Sequence, residues 1–379
     1  MNDSKVLLLF SATGGGHRSV AEALMEAFAL QAPAARVILV DLFHDCTLFP
    51  INRVGRSYQF LVQNTPVLWQ AIWRFGEDNR RLAWTMRLCM PLVQPVRRCL
   101  REQAPDLVIS VHPLLNHIPL RFLREEGNQA PFITVVTDWA SVPLAWFCPQ
   151  VDLCIVPNEA AIHRARAAGL SAEQMRVVGM PVSGRFRPVE RLAKPRWRQQ
   201  LSLDPDQPTV LLAGGSGGVG SLGEIALAVA DELAAEGHGQ LVIICGRNEH
   251  LRQQLARRMW PIPVTVQGFV TNMPDWMGAA DLIITKAGPS TIAEALVVGL
   301  PILLCGFIPG QEEGNVPFVV EQGAGVYVEK PTEIARRVGE WLRPGNPMLV
   351  QMAARARALG RPAAAEEIAE EILRLLPIR

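Results

Sequence analysis

The chain has 379 residues, too many for one ordinary core and suited to two domains of about 150–190 residues each. It is 49% hydrophobic and 19% charged, which supports sizeable buried cores and excludes a disordered or low-complexity protein. Lys+Arg 37 against Asp+Glu 36 leaves a formal net charge of +1, so no nucleic-acid partner is expected and any electrostatic partner must meet a local patch.

In chain order, short Val/Ile/Leu-rich runs alternate with helical patterns. The first half has runs at 6–10, 37–42, 107–111, 132–136 and 151–156. The second has them at 209–214, 241–246, 264–269, 281–285, 301–304 and 325–328. Nearly continuous apolar runs predict strands of a parallel sheet buried on both faces. Each half opens with strand, glycine loop and helix: FSATGGGHRSVAEAL at 10–24 and TVLLAGGSGGVGSLGEIAL at 209–227. The expected fold is α/β, two facing Rossmann-like domains with a ligand in the cleft beyond the carboxyl ends of the strands. The expected boundaries are 1–183, a polar Pro- and Arg-containing linker at 184–207, a second domain at 208–354 and a terminal helix at 355–379.

The first apolar run passes within about six residues into a glycine turn, so it reads as a strand rather than a signal peptide. No apolar run reaches the ~18 residues of a membrane span. The seven cysteines form no C-x-x-C pair, and buried free thiols in a reduced, cytosolic compartment are expected.

Residues 51–101 hold nine arginines against Glu77 and Asp78, interleaved with Tyr58, Phe60, Trp69, Trp73 and Trp84. Basic and aromatic residues on amphipathic helices fit an anionic membrane surface, with Trp at headgroup depth and Arg80 and Arg81 reaching phosphates. The alternative is a helical excursion packed on the first domain.

Gly215, Ser216 and Gly217 begin a G-x-G-x-x-G loop. A nicotinamide site also needs an acid ending the next strand, and that strand ends in Cys245, Gly246, Arg247 and Asn248. Asp41 does end the second strand, but behind GGGH. The loops therefore point to phosphate approached by backbone. There is no G-x-x-x-x-G-K-[ST], the D-x-D at 204–206 reads as a turn, and the seven histidines lack zinc spacing, so no metal and no cofactor is expected.

In TKAGPSTIAEAL (285–296), Gly288 and Pro289 precede the Ser290 and Thr291 hydroxyls, a cradle of helix amides for a diphosphate. Glu294, one turn inside, is placed either to accept ribose hydroxyls or to act as a helix-terminal acid. In IPGQEEGN (308–315), Gln311, Glu312 and Asn315 lie on a loop that reads sugar hydroxyls or is merely solvated.

These segments occur in order with VHPLLNHIPL (111–120), VTDWASVPLAWFCPQVDLCIVPNE (136–159), RVVGMPVSGRF (176–186) and GFVTNMPDWMGAADLIITKAGPSTIAEAL (268–296). Together they resemble monogalactosyldiacylglycerol synthases and the related processive diacylglycerol glucosyltransferases, a group that also includes the peptidoglycan N-acetylglucosaminyltransferase. The resemblance covers nearly the whole chain. It implies an inverting glycosyltransferase of the GT-B fold, with UDP-galactose or UDP-glucose as substrate in the C-terminal domain and diacylglycerol meeting the N-terminal domain. It makes His17 the base and Glu294 the ribose ligand. It makes Gln311 and Glu312 the sugar readers and puts Arg247 and the 268–270 backbone (Phe269, Val270) at the nucleotide. Asp138 is placed to orient or share the proton. Gly15, Gly16, His112 and Trp139 fall on the acceptor side.

Two departures stand out: GGSGGVG lacks the acid of plant-type synthases, and WASVPLAW lacks a histidine. No plant-type transit peptide is seen, so a bacterial-type cytoplasmic protein, peripheral on the inner face of the cell membrane, is expected. The alternatives are a same-fold enzyme with a lipid-linked saccharide acceptor, a sugar epimerase, and a non-catalytic nucleotide-sugar or lipid sensor.

Overall fold

A computed structural model describes residues 4–215 and 221–376; nine side chains between 56 and 83, that of Arg80 among them, lie outside the described set. The chain divides into two compact units. The first holds residues up to 184 with 309–311 and those from 363 on; the second holds 185–308 and 312–362.

The first unit contains β1 (Lys5–Phe10), β2 (Arg36–Asp41), β3 (Leu107–Ser110), β4 (Phe132–Val135), β5 (Leu153–Val156) and β6 (Met175–Val177). They form one parallel sheet in the order β2-β1-β3-β4-β5-β6. Alternate residues of β1 feed opposite cores, as a strand's period of two requires. Val6 and Leu8 meet Val20, Leu24 and Phe28 of the helix Gly16–Gln31. Leu7 and Leu9 meet Phe122, Trp146 and the Val93, Val96 and Leu100 stripe of the helix Asn79–Gln103.

The second unit contains β7 (Thr209–Ala213), β8 (Gln240–Ile244), β9 (Val264–Gln267), β10 (Leu282–Thr285), β11 (Ile302–Leu304) and β12 (Gly325–Tyr327), parallel in the order β12-β11-β10-β7-β8-β9. Eleven of the twelve strands coincide with the expected apolar runs. The twelfth, β6, is a three-residue edge strand with Arg176 and Val177 exposed, too short and too polar to show as a run. Burial on both faces holds for the central strands but not for β2 and β9, which are mostly half-buried because edges receive less cover from helices.

The stretch expected as a linker, 184–207, belongs from residue 185 to the second unit. Arg198 is buried there; it donates to Asp281 Oδ2 at 2.6 Å, the Ala279 carbonyl at 3.0 Å and the Pro205 carbonyl at 3.1 Å. The same Asp281 oxygen accepts the Thr209 N–H at 2.8 Å, so this charge pair anchors the segment to the start of β7. The terminal stretch is two helices rather than one. Met348–Leu359 packs on the helix Pro289–Val298 in the second unit. Ala364–Leu373 packs in the first unit on the helix Gly16–Gln31, because Ala365, Ile368, Ala369 and Ile372 recur at helical spacing and bury one face.

Residues 51–101 form three helices, Val54–Asn64, Pro66–Gly76 and Asn79–Gln103. Tyr58, Trp69 and Trp73 make an aromatic cluster with ring centroids 5.0 Å and 6.1 Å apart. Phe60, Val67, Leu68, Ile72, Phe75, Trp84 and Leu88 are exposed on the same helices. Among the described residues no helix is long and apolar enough to cross a membrane.

Candidate active site

In each sheet the strand order reverses once, between β1 and β3 and between β10 and β7. At such a switch point the loops leaving the carboxyl ends part to opposite faces and leave a crevice for a ligand. His17, His112, Gly215 and the residues at 288–294 lie on or just beyond these loops, while Asp138, Arg247, Phe269 and Gln311 follow β4, β8, β9 and β11.

In the first unit the loop after β1 carries Thr13 and Gly14. Gly14 takes φ +80°, a left-handed conformation open to glycine, and Gly15 then caps the helix that begins at Gly16. His17 is thereby held at the start of that helix. Its Nδ1 lies 2.8 Å from the Val111 carbonyl oxygen, just beyond β3, and 2.9 Å from Thr137 Oγ1, beyond β4. A carbonyl only accepts, so Nδ1 carries the hydrogen and Nε2 keeps a lone pair with no hydrogen-bond partner among the described residues. Burial lowers the His17 pKa to about 4, against a smaller opposing effect of the Val111 hydrogen bond.

His112 is stacked beside it, ring centroids 4.6 Å apart. Its Nδ1 accepts the Leu114 N–H at 3.2 Å, so Nε2 bears the proton and donates to Thr13 Oγ1 at 3.0 Å. Burial, then the nearby His17, holds His112 well below the usual imidazole pKa. Both rings are neutral at physiological pH.

Asp138 is buried and accepts the Trp146 indole N–H at 2.7 Å. His17 Nδ1 is met instead by the Val111 carbonyl and the Thr137 hydroxyl. Trp139 is buried beside Asp138, its carbonyl accepting from Asn158 Nδ2 at 2.8 Å. Trp69 and Trp73 are half-buried in the aromatic cluster, whereas Trp84 and Arg81 are exposed. Arg81 sits over the Phe75 ring at 5.3 Å.

In the second unit the loop after β7 reaches Gly215, at φ +70°, and a side chain there would meet Lys286 Cε at 3.2 Å. Ser216 and Gly217 lie outside the described residues. The loop after β10 runs through Lys286 to Gly288, and the helix Pro289–Val298 follows. Ile292, Ala293, Ala295 and Leu296 are buried on that helix, while Ser290, Thr291 and Glu294 share its half-buried face. Glu294 has no hydrogen-bond partner among the described residues, and burial pushes its carboxyl up to about 8. Arg247 lies over the exposed Phe269 ring at 5.2 Å, next to the half-buried Val270.

The three residues expected to read the sugar have partners of their own. Glu312 is buried, pairs with Lys286 and accepts the Ile308 N–H at 3.0 Å. Asn315 is buried and donates to the Ala287 carbonyl at 2.8 Å, fixing the loop in front of the helix. Gln311 groups with the first unit, where its Oε1 accepts the Tyr58 hydroxyl at 2.9 Å. Lys286, Thr137 and the Val111 carbonyl were not singled out from sequence. The first two stand inside quoted motifs, but a carbonyl leaves no trace in residue identity.

The model for monogalactosyldiacylglycerol (MGDG) synthase matches residues 17–182, and that for the glycosyltransferase family 28 C-terminal domain matches 209–372. Monogalactosyldiacylglycerol synthase 3, chloroplastic, from Arabidopsis thaliana is 41% identical over 379 residues, covering 97% of this chain and 80% of its own. The chain belongs to the monogalactosyldiacylglycerol synthase family. Among solved structures, Acinetobacter baumannii MurG superimposes with a TM-score of 0.57 at 16% identity, over 98% of this chain and 100% of its own. The Anabaena Alr3699/HepE complex with UDP-glucose gives 0.58 at 17%, over 98% and 99%. These likenesses show the GT-B fold.

Membership of this synthase family makes the chain a diacylglycerol glycosyltransferase. It also overturns the expected location, because the similar synthases are named as chloroplastic enzymes rather than proteins of a cell membrane's inner face.

Proposed function

We propose that the protein transfers galactose from UDP-galactose to the hydroxyl of diacylglycerol, with inversion, at a membrane surface. The observation that carries this reading is the His17 ring. Its proton is fixed on Nδ1, its Nε2 lone pair is open, and its pKa near 4 keeps it neutral. In one displacement the acceptor oxygen attacks the sugar carbon as its proton passes to Nε2, and the bond to UDP breaks with its electron pair on the β-phosphate oxygen. Glu294 serves the ribose, and the loop amides and hydroxyls at 288–291 serve the diphosphate without a metal. The names of the relatives favour galactose over glucose, and the exposed apolar side chains of the three-helix segment favour an acceptor presented by lipid.

The test offers labelled UDP-galactose and UDP-glucose separately with diacylglycerol vesicles. Galactolipid from the first, much less product from the second and an inverted anomeric linkage are expected. Glucolipid as the main product would overturn the choice of sugar, and absence of any glycolipid the choice of acceptor.

A further inference from the structure

We propose that Lys286 is the cation that meets the donor's diphosphate, and that Glu312 is its positioning residue rather than a sugar reader. This rests on the UDP-sugar reading above.

The argument begins with hydrogen-bond capacity. An ammonium has three donors. Lys286 Nζ spends one on Glu312, and the other two have no partner among the described residues. Glu312 is 3% exposed, and each of its oxygens is engaged, one by Lys286 and the other by the Ile308 N–H. At 3% exposure, a carboxylate held at both oxygens offers a sugar hydroxyl little access, and it holds a flexible lysine in one place.

That place is the switch point. A Cβ built on Gly288 would lie 3.3 Å from Lys286 Nζ, and one built on Gly215 would lie 3.2 Å from its Cε. The ammonium therefore stands where the loop after β7 meets the loop that opens the helix Pro289–Val298. Both glycines leave the room it occupies. The Glu312 charge balances the lysine before donor arrives, and the two spare donors reach a diphosphate whose negative charge grows as the sugar leaves.

The experiment measures affinities for uridine, UMP, UDP, UDP-galactose and UDP-glucose by calorimetry. It compares wild type with Lys286→Met, Lys286→Arg, Glu312→Gln and the double variant Lys286→Met/Glu312→Gln. The double variant removes both charges, so no unpaired buried carboxylate is left to unfold the protein. Lys286→Met and the double variant are expected to lose about ten- to hundredfold in UDP affinity, keep uridine affinity, and recover most of the loss as Lys286→Arg. Glu312→Gln is expected to keep the wild-type ratio of UDP-sugar to UDP affinity.

Undiminished UDP binding by the double variant, or a UDP-sugar to UDP ratio moved tenfold by Glu312→Gln, would overturn this inference alone. Wild type that fails to bind UDP would overturn the donor reading together with it.

Discussion

His17 Nδ1 stands 2.8 Å from the carbonyl oxygen of Val111, the residue that follows β3. That single hydrogen bond decides the ring's tautomer, because only a protonated Nδ1 satisfies a carbonyl. Thr137 adds a hydroxyl at 2.9 Å, and the helix that starts at Gly16 sets its positive end against a second proton. A neutral imidazole is thus fixed in position by two neutral groups.

In the proposed mechanism, loss of His17 has a defined cost. A positioned general base contributes ~10²–10⁴-fold, so His17→Ala should lose that much turnover while UDP affinity stays near wild type. With a pKa lowered to about 4, His17 stays deprotonated until acid conditions, so the acid limb of the rate profile attributable to it should fall near pH 4. The unfolded ring protonates near 6.5, so its contribution to stability is present above 6.5 and is lost as pH falls toward 4. An acid limb near 6.5 in wild type, absent from a slow His17→Ala, would show a solvated ring instead.

Much of this was legible in the residues. GGGH and KAGPSTIAEA each follow an apolar run and open a helix, so their place at the carboxyl end of a strand could be read directly. Partners could not. Glu312 looks like a loop acid in IPGQEEGN, and only the fold brings it to Lys286, 26 positions earlier. The 184–207 stretch looks like a linker because it is polar, yet Arg198 is buried through a pairing with Asp281 that sequence spacing does not announce. The terminal helix shows its apolar stripe plainly but not the helix it will cover.

Orientation of His17 should be separable from the neighbouring carboxylate. Thr137→Val removes one neutral hydrogen bond, so about a two- to tenfold loss in turnover is expected, with UDP affinity unchanged. Asp138→Asn keeps an acceptor for the Trp146 indole and should leave both turnover and the acid limb near wild type. If Asp138→Asn instead removes activity while Thr137→Val is silent, the carboxylate takes part in the proton transfer.

Donor binding should be indifferent to divalent metal. In the proposed donor site the amides and hydroxyls at 288–291 and the Lys286 ammonium supply the compensating charge, so chelation should change neither UDP affinity nor turnover. Loss of turnover on chelation, restored by manganese, would refute this.

The three-helix segment should bring the protein to lipid. Trp84 and Leu88 are 61% and 64% exposed and lie four residues apart on one helix, a spacing that puts them on one face. Trp84→Ser/Leu88→Ser should weaken sedimentation with vesicles, and Arg81→Glu should weaken it further where anionic lipid is present, with salt masking the second effect. Unchanged sedimentation in both variants would leave the segment a packed excursion without a lipid role.

Glu294 gives the sharpest pH signature. Its carboxyl is pushed up to about 8 by burial, so the donor-free protein holds it protonated at neutral pH. Ribose hydroxyls donating to the carboxylate favour the ionised form, so binding should lower that pKa and release a proton. UDP affinity is then expected to rise between pH 6 and 8, by up to about tenfold per unit, and to level off above 8. Calorimetry in buffers of different ionisation enthalpy should detect close to one proton released at pH 7. Glu294→Gln should abolish the pH slope and cost about 1.5–3 kcal/mol of UDP affinity at pH 8. The linkage to folding has the opposite sign. The folded carboxyl binds its proton more tightly than the unfolded one, whose pKa is 4.5, so this group's contribution to stability falls as pH rises from 4.5 to 8. Glu294→Gln should therefore gain in melting temperature relative to wild type as pH rises through that window. If UDP affinity is flat with pH and no proton is released, Glu294 is a helix acid and not the ribose ligand.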